Sequence, residues 1–143
     1  MRTFLLFILA GSLINSAGAD SDLAGRPWKK RVVVVLAPSE NDAHLKSQRA
    51  IAAKASAEFL ERELILISEI AEGPLHRKFG VPSHQFQVLL IGKDGHIAAN
   101  WSTPITSANL FSIIDVMPMR RDEIRQKTRA NTPAAETGQK VLL

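Results

Sequence analysis

The chain has 143 residues, and its 18 lysine and arginine residues against 14 aspartate and glutamate residues give a formal net charge of only +4. An excess this small, without an aromatic stripe or a long basic run, excludes a dedicated nucleic-acid-binding protein. Cysteine is absent, which excludes a thiol nucleophile, a redox disulfide and a cysteine-bound zinc site.

The chain opens with MRTFLLFILAGSLINSAGA, the pattern of a secretory signal. Arg2 precedes an apolar run, and the small residues that signal peptidase accepts end at Ala19. The run is about eleven residues long, well short of the roughly twenty that a membrane-spanning helix needs. We therefore predict a signal peptide over residues 1–19, cleavage after Ala19, and an exported protein, periplasmic or secreted, without a membrane span.

The segment RVVVVLA, Arg31–Ala37, is a continuous β-branched run and predicts an interior strand covered on both faces. A helix of roughly twenty residues is expected next, with Ser39 or Asn41 as its cap and Asp42 in its first turn. Its buried stripe comprises Leu45, Gln48, Ala52, Ala55 and Phe59. ELILISEI then predicts a second strand, parallel to the first because a crossover helix joins them.

Breaks at Gly73-Pro74 and at Gly80-Val81-Pro82 enclose a short helix, LHRKF. FQVLLIG and HIAANW predict a hairpin around Asp94-Gly95. Thr106 or Ser107 is expected to cap a last helix that buries Leu110, Ile113, Ile114 and Met117. The order β-α-β-α-β-β-α predicts an α/β, thioredoxin-like three-layer sandwich with a mixed four-stranded sheet, over residues 20–127. Residues 128–143, small and polar, are expected to form a disordered tail.

Three stretches, LLIGKDG (89–95), IIDVMPMRRDE (113–123) and ERELILI (61–67), resemble the family of the domain of unknown function 4174. That family occurs in bacterial exported proteins and in vertebrate extracellular proteins of the sushi-repeat and equarin type, and it is regarded as thioredoxin-like. The resemblance runs from about residue 23 to residue 125. It implies the fold and an exported location, and it implies no activity.

Two elements of a working thioredoxin are missing from the positions where the resemblance places them. The cysteine pair would stand just after the first long strand, where this chain reads Pro38-Ser39-Glu40-Asn41-Asp42. The cis-proline would stand near Gln87, and Pro82 lies too early in the chain to replace it. A disulfide exchanger or a peroxidase is therefore excluded.

Pro118 interrupts the last predicted helix. Proline disfavours helical geometry at the preceding residue and suits the first position of a new helix, so we expect a joint between two helical segments. The charged residues around this joint and at the N-terminal ends of the first two strands should gather at one rim. The motif residues expected there are Asp94, Gly95, Asp115, Met117, Pro118, Met119 and Glu123.

The charged rim has two interpretations. One is an ion-pair network that fastens the last helix, with Glu123–Lys127 and Asp122–Arg125 as helical pairs. The other is a surface for an anionic ligand or a protein partner. That surface would be centred on Arg120, supported by the further cations Lys93, Arg62 and Arg121.

Other polar groups give weaker signals. The acidic Glu40 and Asp42 would repel an anion from the first helix start, and His44 could act as a base beside Ser39. The four histidines have no metal-ligand spacing, and His76 and His84 are expected at the surface of a loop.

We assign no catalytic residue, metal or cofactor from the sequence. The leading hypothesis is an exported, non-catalytic thioredoxin-like binding or structural module. The alternatives are a thiol-independent enzyme, either a Ser/His hydrolase or a metal-dependent one, and a polyanion-binding protein.

Overall fold

A computed structural model describes residues 29–132. The predicted signal peptide with its cleavage site at Ala19, and most of the expected tail, lie outside these residues. The elements in chain order are β1 (Arg31–Ala37), α1 (Ala43–Lys54), α2 (Ser56–Glu61), β2 (Leu64–Ile70), α3 (Pro74–Phe79), β3 (Gln87–Ile91), β4 (Ile97–Trp101), α4 (Ser107–Asp115) and α5 (Pro118–Asn131).

The four strands form one mixed sheet in the order β2-β1-β3-β4. β1 pairs parallel to β2 and antiparallel to β3, and β3 pairs antiparallel to β4. This order, with these directions, is that of the thioredoxin core. The predicted α/β fold with a mixed four-stranded sheet is therefore confirmed.

The two faces of β1 belong to two different hydrophobic cores. Val33, Val35 and Ala37 pack into the core under α1, α2 and α4. The alternating residues Val32 and Val34 pack with Leu36 into the core under α3. Helices on both sides of the sheet give three layers, and burial on both faces explains why β1 is apolar at every position from residue 32 onward.

The prediction of one long first helix was wrong. A turn at Ala55, with φ −106° and ψ 26°, divides it into α1 and α2. Leu45, Ala55 and Phe59 are buried as expected, because the turn keeps α1 and α2 against the same core. The sequence around Ala55 has no proline or glycine, so no local pattern predicts the turn.

The cap of α1 is Asp42, and neither Ser39 nor Asn41 fills that role. The backbone of Asp42 is extended, and its carboxylate accepts a hydrogen bond of 3.0 Å from the Leu45 amide. Thr106 caps α4 as predicted, by accepting from the Asn109 amide at 3.3 Å.

The hairpin and the last helix follow the predicted order. Gly95 has φ +81°, a conformation that favours glycine, and it makes the turn between β3 and β4. α5 continues past Lys127 to Asn131, so the first residues of the expected tail are helical. Among residues 29–132, no helix has the length and apolar character to cross a membrane.

Candidate functional site at the charged rim

The joint between α4 and α5 lies at Met117-Pro118. Met117 has extended backbone angles, φ −63° and ψ 140°, and Pro118 occupies the first position of α5. This confirms the predicted role of Pro118, because a proline at that position loses no helical hydrogen bond. The joint lets Asp115 end α4 while α5 begins next to the β3–β4 turn, which brings two groups of charged residues together.

Arg62 fastens the end of α4 to the start of β2. Its Nε and Nη2 groups donate to the two carboxylate oxygens of Asp115 at 2.9 and 2.8 Å. Its guanidinium also lies 4.3 Å from the centre of the Phe111 ring, a cation–π contact. Hydrogen bonds from Arg62 hold the pKa of Asp115 below its usual value, although burial opposes them.

Glu123 on α5 is the carboxylate on which three cations converge. Arg31 donates to its two oxygens at 3.3 and 3.1 Å, Lys93 donates at 2.6 Å, and a nitrogen of Arg120 lies at 3.5 Å. Burial raises the pKa of Glu123, but hydrogen bonds from Lys93 and Arg31 outweigh it and leave the pKa below the usual value. Lys93 also binds Glu63, so α5 is tied to the starts of β1 and β2 and to the hairpin.

Arg120 lies inside this cluster, with only 2% of its side chain exposed. Its Nη2 and Nη1 groups donate to the Glu61 carboxylate at 2.8 Å and to the Glu61 carbonyl at 3.2 Å, and Nε donates to Asp115 at 3.3 Å. A ligand surface centred on Arg120 was the alternative prediction, and the structure instead buries this side chain among its ion-pair partners. Its next neighbour Arg121 is exposed.

We call the ion-paired residues at this edge the rim network: Arg31, Arg62, Lys93, Asp115, Arg120 and Glu123, with Glu61 and Glu63. The contacts are those of the predicted ion-pair network. The expected Asp122–Arg125 pair is confirmed. The expected Glu123–Lys127 pair is wrong, because Glu123 faces the sheet edge and Lys127 donates to the Glu61 carbonyl at 3.2 Å.

A cleft of about 410 Å³ opens beside the rim network, which we call the rim cleft. It lies between the β3–β4 hairpin and the α4–α5 joint. Its lining residues are Arg31, Gly92, Lys93, Asp94, His96, Ile97, Ala98, Met117, Pro118 and Met119. Lys93 and Asp94 of the hairpin turn and the Met-Pro-Met stretch, far apart in sequence, therefore meet in one cleft.

The other polar candidates are not assembled into a site. His44 packs edge-on against the Phe86 ring with 5.1 Å between ring centres, and within residues 29–132 no hydrogen bond joins it to Ser39. His76 was expected at a loop surface, but it lies in α3 and is buried, with its Nδ1 2.9 Å from the Glu69 carboxylate. In the part of the chain that the structure describes, no three histidine or acidic groups cluster as metal ligands.

The role of Glu69 was not predicted from the sequence. Its carboxylate accepts from the backbone amides of Leu75 and His76 at 3.1 and 2.8 Å, and so caps α3 from the neighbouring strand. Glycine at position 73 leaves room for this carboxylate, since a Cβ there would lie 2.0 Å from the Glu69 Cδ. A cap supplied from six residues upstream leaves no local pattern, so sequence reasoning had no signal for it.

The family model of a domain of unknown function, DUF4174, matches residues 22–123 of this chain. The chain is also similar to the reduced 2-Cys peroxiredoxin of Plasmodium vivax, with 15% identity, a TM-score of 0.48, and coverage of 71% of this chain and 80% of that one. The thioredoxin peroxidase I of Plasmodium yoelii gives 15% identity, a TM-score of 0.49, and coverage of 79% and 83%.

Proposed function

Because the chain belongs to the DUF4174 family, whose name assigns no activity, we propose that it is an exported thioredoxin-like binding module that acts without thiol chemistry. The rim cleft is its binding surface. One observation carries this proposal: hairpin residues 92–94 and 96–98 line a single cleft with residues 117–119, which are distant in sequence. The cleft volume of about 410 Å³ lies within the range of small-molecule pockets, about 300–1,000 Å³.

The rim network supports the proposal by holding the walls of the cleft. Arg31 and Lys93 both line the cleft and both bind Glu123. These charge-assisted contacts fix the start of α5, and with it Met119, relative to the hairpin. A wall that is already fixed loses less conformational entropy when a ligand binds, so the network and the cleft act together.

Two sequence features support the remaining parts of the proposal. The chain has no cysteine, so whatever this domain does proceeds without thiol–disulfide exchange. The first nineteen residues have the pattern of a cleaved signal. The export part is tested by mass spectrometry of the protein recovered outside the cytoplasm, where we expect an N-terminus at Asp20. An exported protein that still begins at Met1 would contradict cleavage after Ala19.

The binding part is tested with a matched pair of variants, Ile97→Glu and Ile70→Glu. Both residues are isoleucines in edge strands, 47% and 38% exposed, but Ile97 lines the rim cleft and Ile70 ends β2 at the opposite edge of the sheet. Each variant is crosslinked in the exporting cell and its bound components are identified. We expect Ile97→Glu to lose the components that wild type and Ile70→Glu retain, with melting temperatures that agree. Retention by both variants would overturn the proposal.

A further inference from the structure

The outer face of α5 carries three arginines, Arg121, Arg125 and Arg129, which we call the arginine row. They follow one another at four-residue steps, and residues four apart lie on the same face of a helix. All three are exposed, and the row extends about 12 Å along the helix. Arg120 and Glu123 point into the rim network instead, so the arginine row faces away from that network.

Two arginines of the row are unpaired within the described part of the chain. Neither Arg121 nor Arg129 has an ion pair or a side-chain hydrogen bond there. Arg125 pairs with Asp122, but the two side chains are 66% and 56% exposed, and water weakens such a pair. The arginine row therefore differs from the rim cations, whose charges are matched by carboxylates of the network.

The second half of α5 adds to this imbalance. After Glu123 the helix contains three cations and no carboxylate. One of them, Lys127, donates to the carbonyl oxygen of Glu61, which carries no formal charge. Cations near a helix C-terminus also stabilise the helix through its dipole, so a test of binding has to separate that contribution from recognition of a partner.

The character of this face selects among the anionic partners. Met119 and Ile124 are the exposed apolar residues of α5, and their positions in the helix place them outside the arginine row. The face therefore lacks the apolar side that a helix needs to enter a lipid surface. α5 also has no aromatic residue on which a nucleic-acid base could stack. A linear, water-soluble polyanion needs neither feature.

We propose that the outer face of α5 binds a linear acidic polysaccharide, whose successive anionic groups contact Arg121, Arg125 and Arg129. None of the three arginines lines the rim cleft. The inference therefore goes beyond the proposed function and concerns a second surface of the domain.

Retention on a heparin column is the first measurement, because heparin is a linear sulfated polysaccharide. The full chain is loaded at about 10 mM salt, where the Debye length is about 30 Å, and eluted with rising salt. We expect wild type to be retained and then released as the salt screens its contacts. A wild-type protein that flows through the column at the loading salt would overturn the proposal.

A matched pair of double variants separates the arginine row from net charge. Arg121→Gln/Arg129→Gln removes two exposed cations from α5, and Lys46→Gln/Lys54→Gln removes two exposed cations with the same spacing from α1. Arg129 and Lys54 both lie in the last turn of their helix, so both variants lose a similar interaction with the helix dipole. We expect their melting temperatures to agree.

Calorimetric titration with a heparin oligosaccharide then compares the variants. We expect Arg121→Gln/Arg129→Gln to weaken the Kd about tenfold or more, and to lower the slope of log Kd against log salt concentration by about two. Lys46→Gln/Lys54→Gln should leave that slope unchanged and weaken the Kd less than about threefold. Equal weakening by both variants would show that net charge alone retains the protein, and the proposal would be wrong.

Two other polyanions test the class of partner. Phosphatidylglycerol vesicles and single-stranded DNA are titrated at the same salt and the same concentration of anionic groups. We expect heparin to bind more tightly than either. Tighter binding of the vesicles would assign the arginine row to a lipid surface, and tighter binding of DNA would assign it to a nucleic acid. Either result would refute the polysaccharide.

Discussion

The substitution Glu123→Gln keeps the shape of the side chain and removes its charge. Arg31, 1% exposed, would lose its anionic partner, and Lys93 would lose its contact of 2.6 Å. Removing one partner of a buried ion pair costs about 3–5 kcal/mol. Glu123 is 20% exposed, so water screens part of this, and the glutamine carbonyl retains one acceptor. We expect the free energy of unfolding to fall by about 2–3 kcal/mol.

The measurement is urea or thermal unfolding followed by circular dichroism, and Asp122→Asn on the same helical turn is the control. For a domain of this size each kcal/mol corresponds to about 4 °C or more in melting temperature, so we expect a decrease of about 8–12 °C for Glu123→Gln. Asp122 and Arg125 have side chains that are 56% and 66% exposed, and breaking an exposed pair costs at most about 1 kcal/mol. If the two variants lose equal stability, Glu123 does not anchor α5.

Three further predictions test other contacts. Gly73→Ala should lower the free energy of unfolding by about 1–2 kcal/mol, because the new Cβ displaces the Glu69 carboxylate that caps α3. In a Glu69→Ala background the same change should cost nothing, and a cost in both backgrounds would refute the steric explanation. Gln48→Leu should lower the free energy of urea unfolding by about 2–4 kcal/mol, because the buried N–H and C=O of Ile105 both lose their hydrogen bonds to the Gln48 amide. A loss under about 1 kcal/mol would contradict this. The pKa of Glu123 in the folded protein lies below its ordinary 4.5. The ionised carboxylate therefore stabilises the fold above pH 4.5, and this contribution disappears as the pH falls through the folded pKa. On acidification the free energy of unfolding should fall less in Glu123→Gln than in wild type.

Two neighbouring arginines show what could and could not be predicted from the sequence at the rim. Arg120 and Arg121 have the same side chain and the same local context, but Arg120 is buried against Glu61 and Asp115 while Arg121 is exposed. Which of the two faces inward depends on how α5 is rotated against the sheet edge. That rotation is set by Pro118 and by contacts with residues distant in sequence, so no local pattern could reveal it.

The sequence by itself determined the elements whose causes are local. The β-branched run of β1, the Asp-Gly turn, the threonine cap of α4 and the proline that begins α5 each act within a few residues, and the order of these elements predicted the sheet. Only the tertiary structure decided the turn at Ala55, the capping of α3 by Glu69, and the rim cleft beside Arg31. These features depend on contacts between separate elements of structure, and the free energy of burying and pairing those groups arises only after the chain has folded.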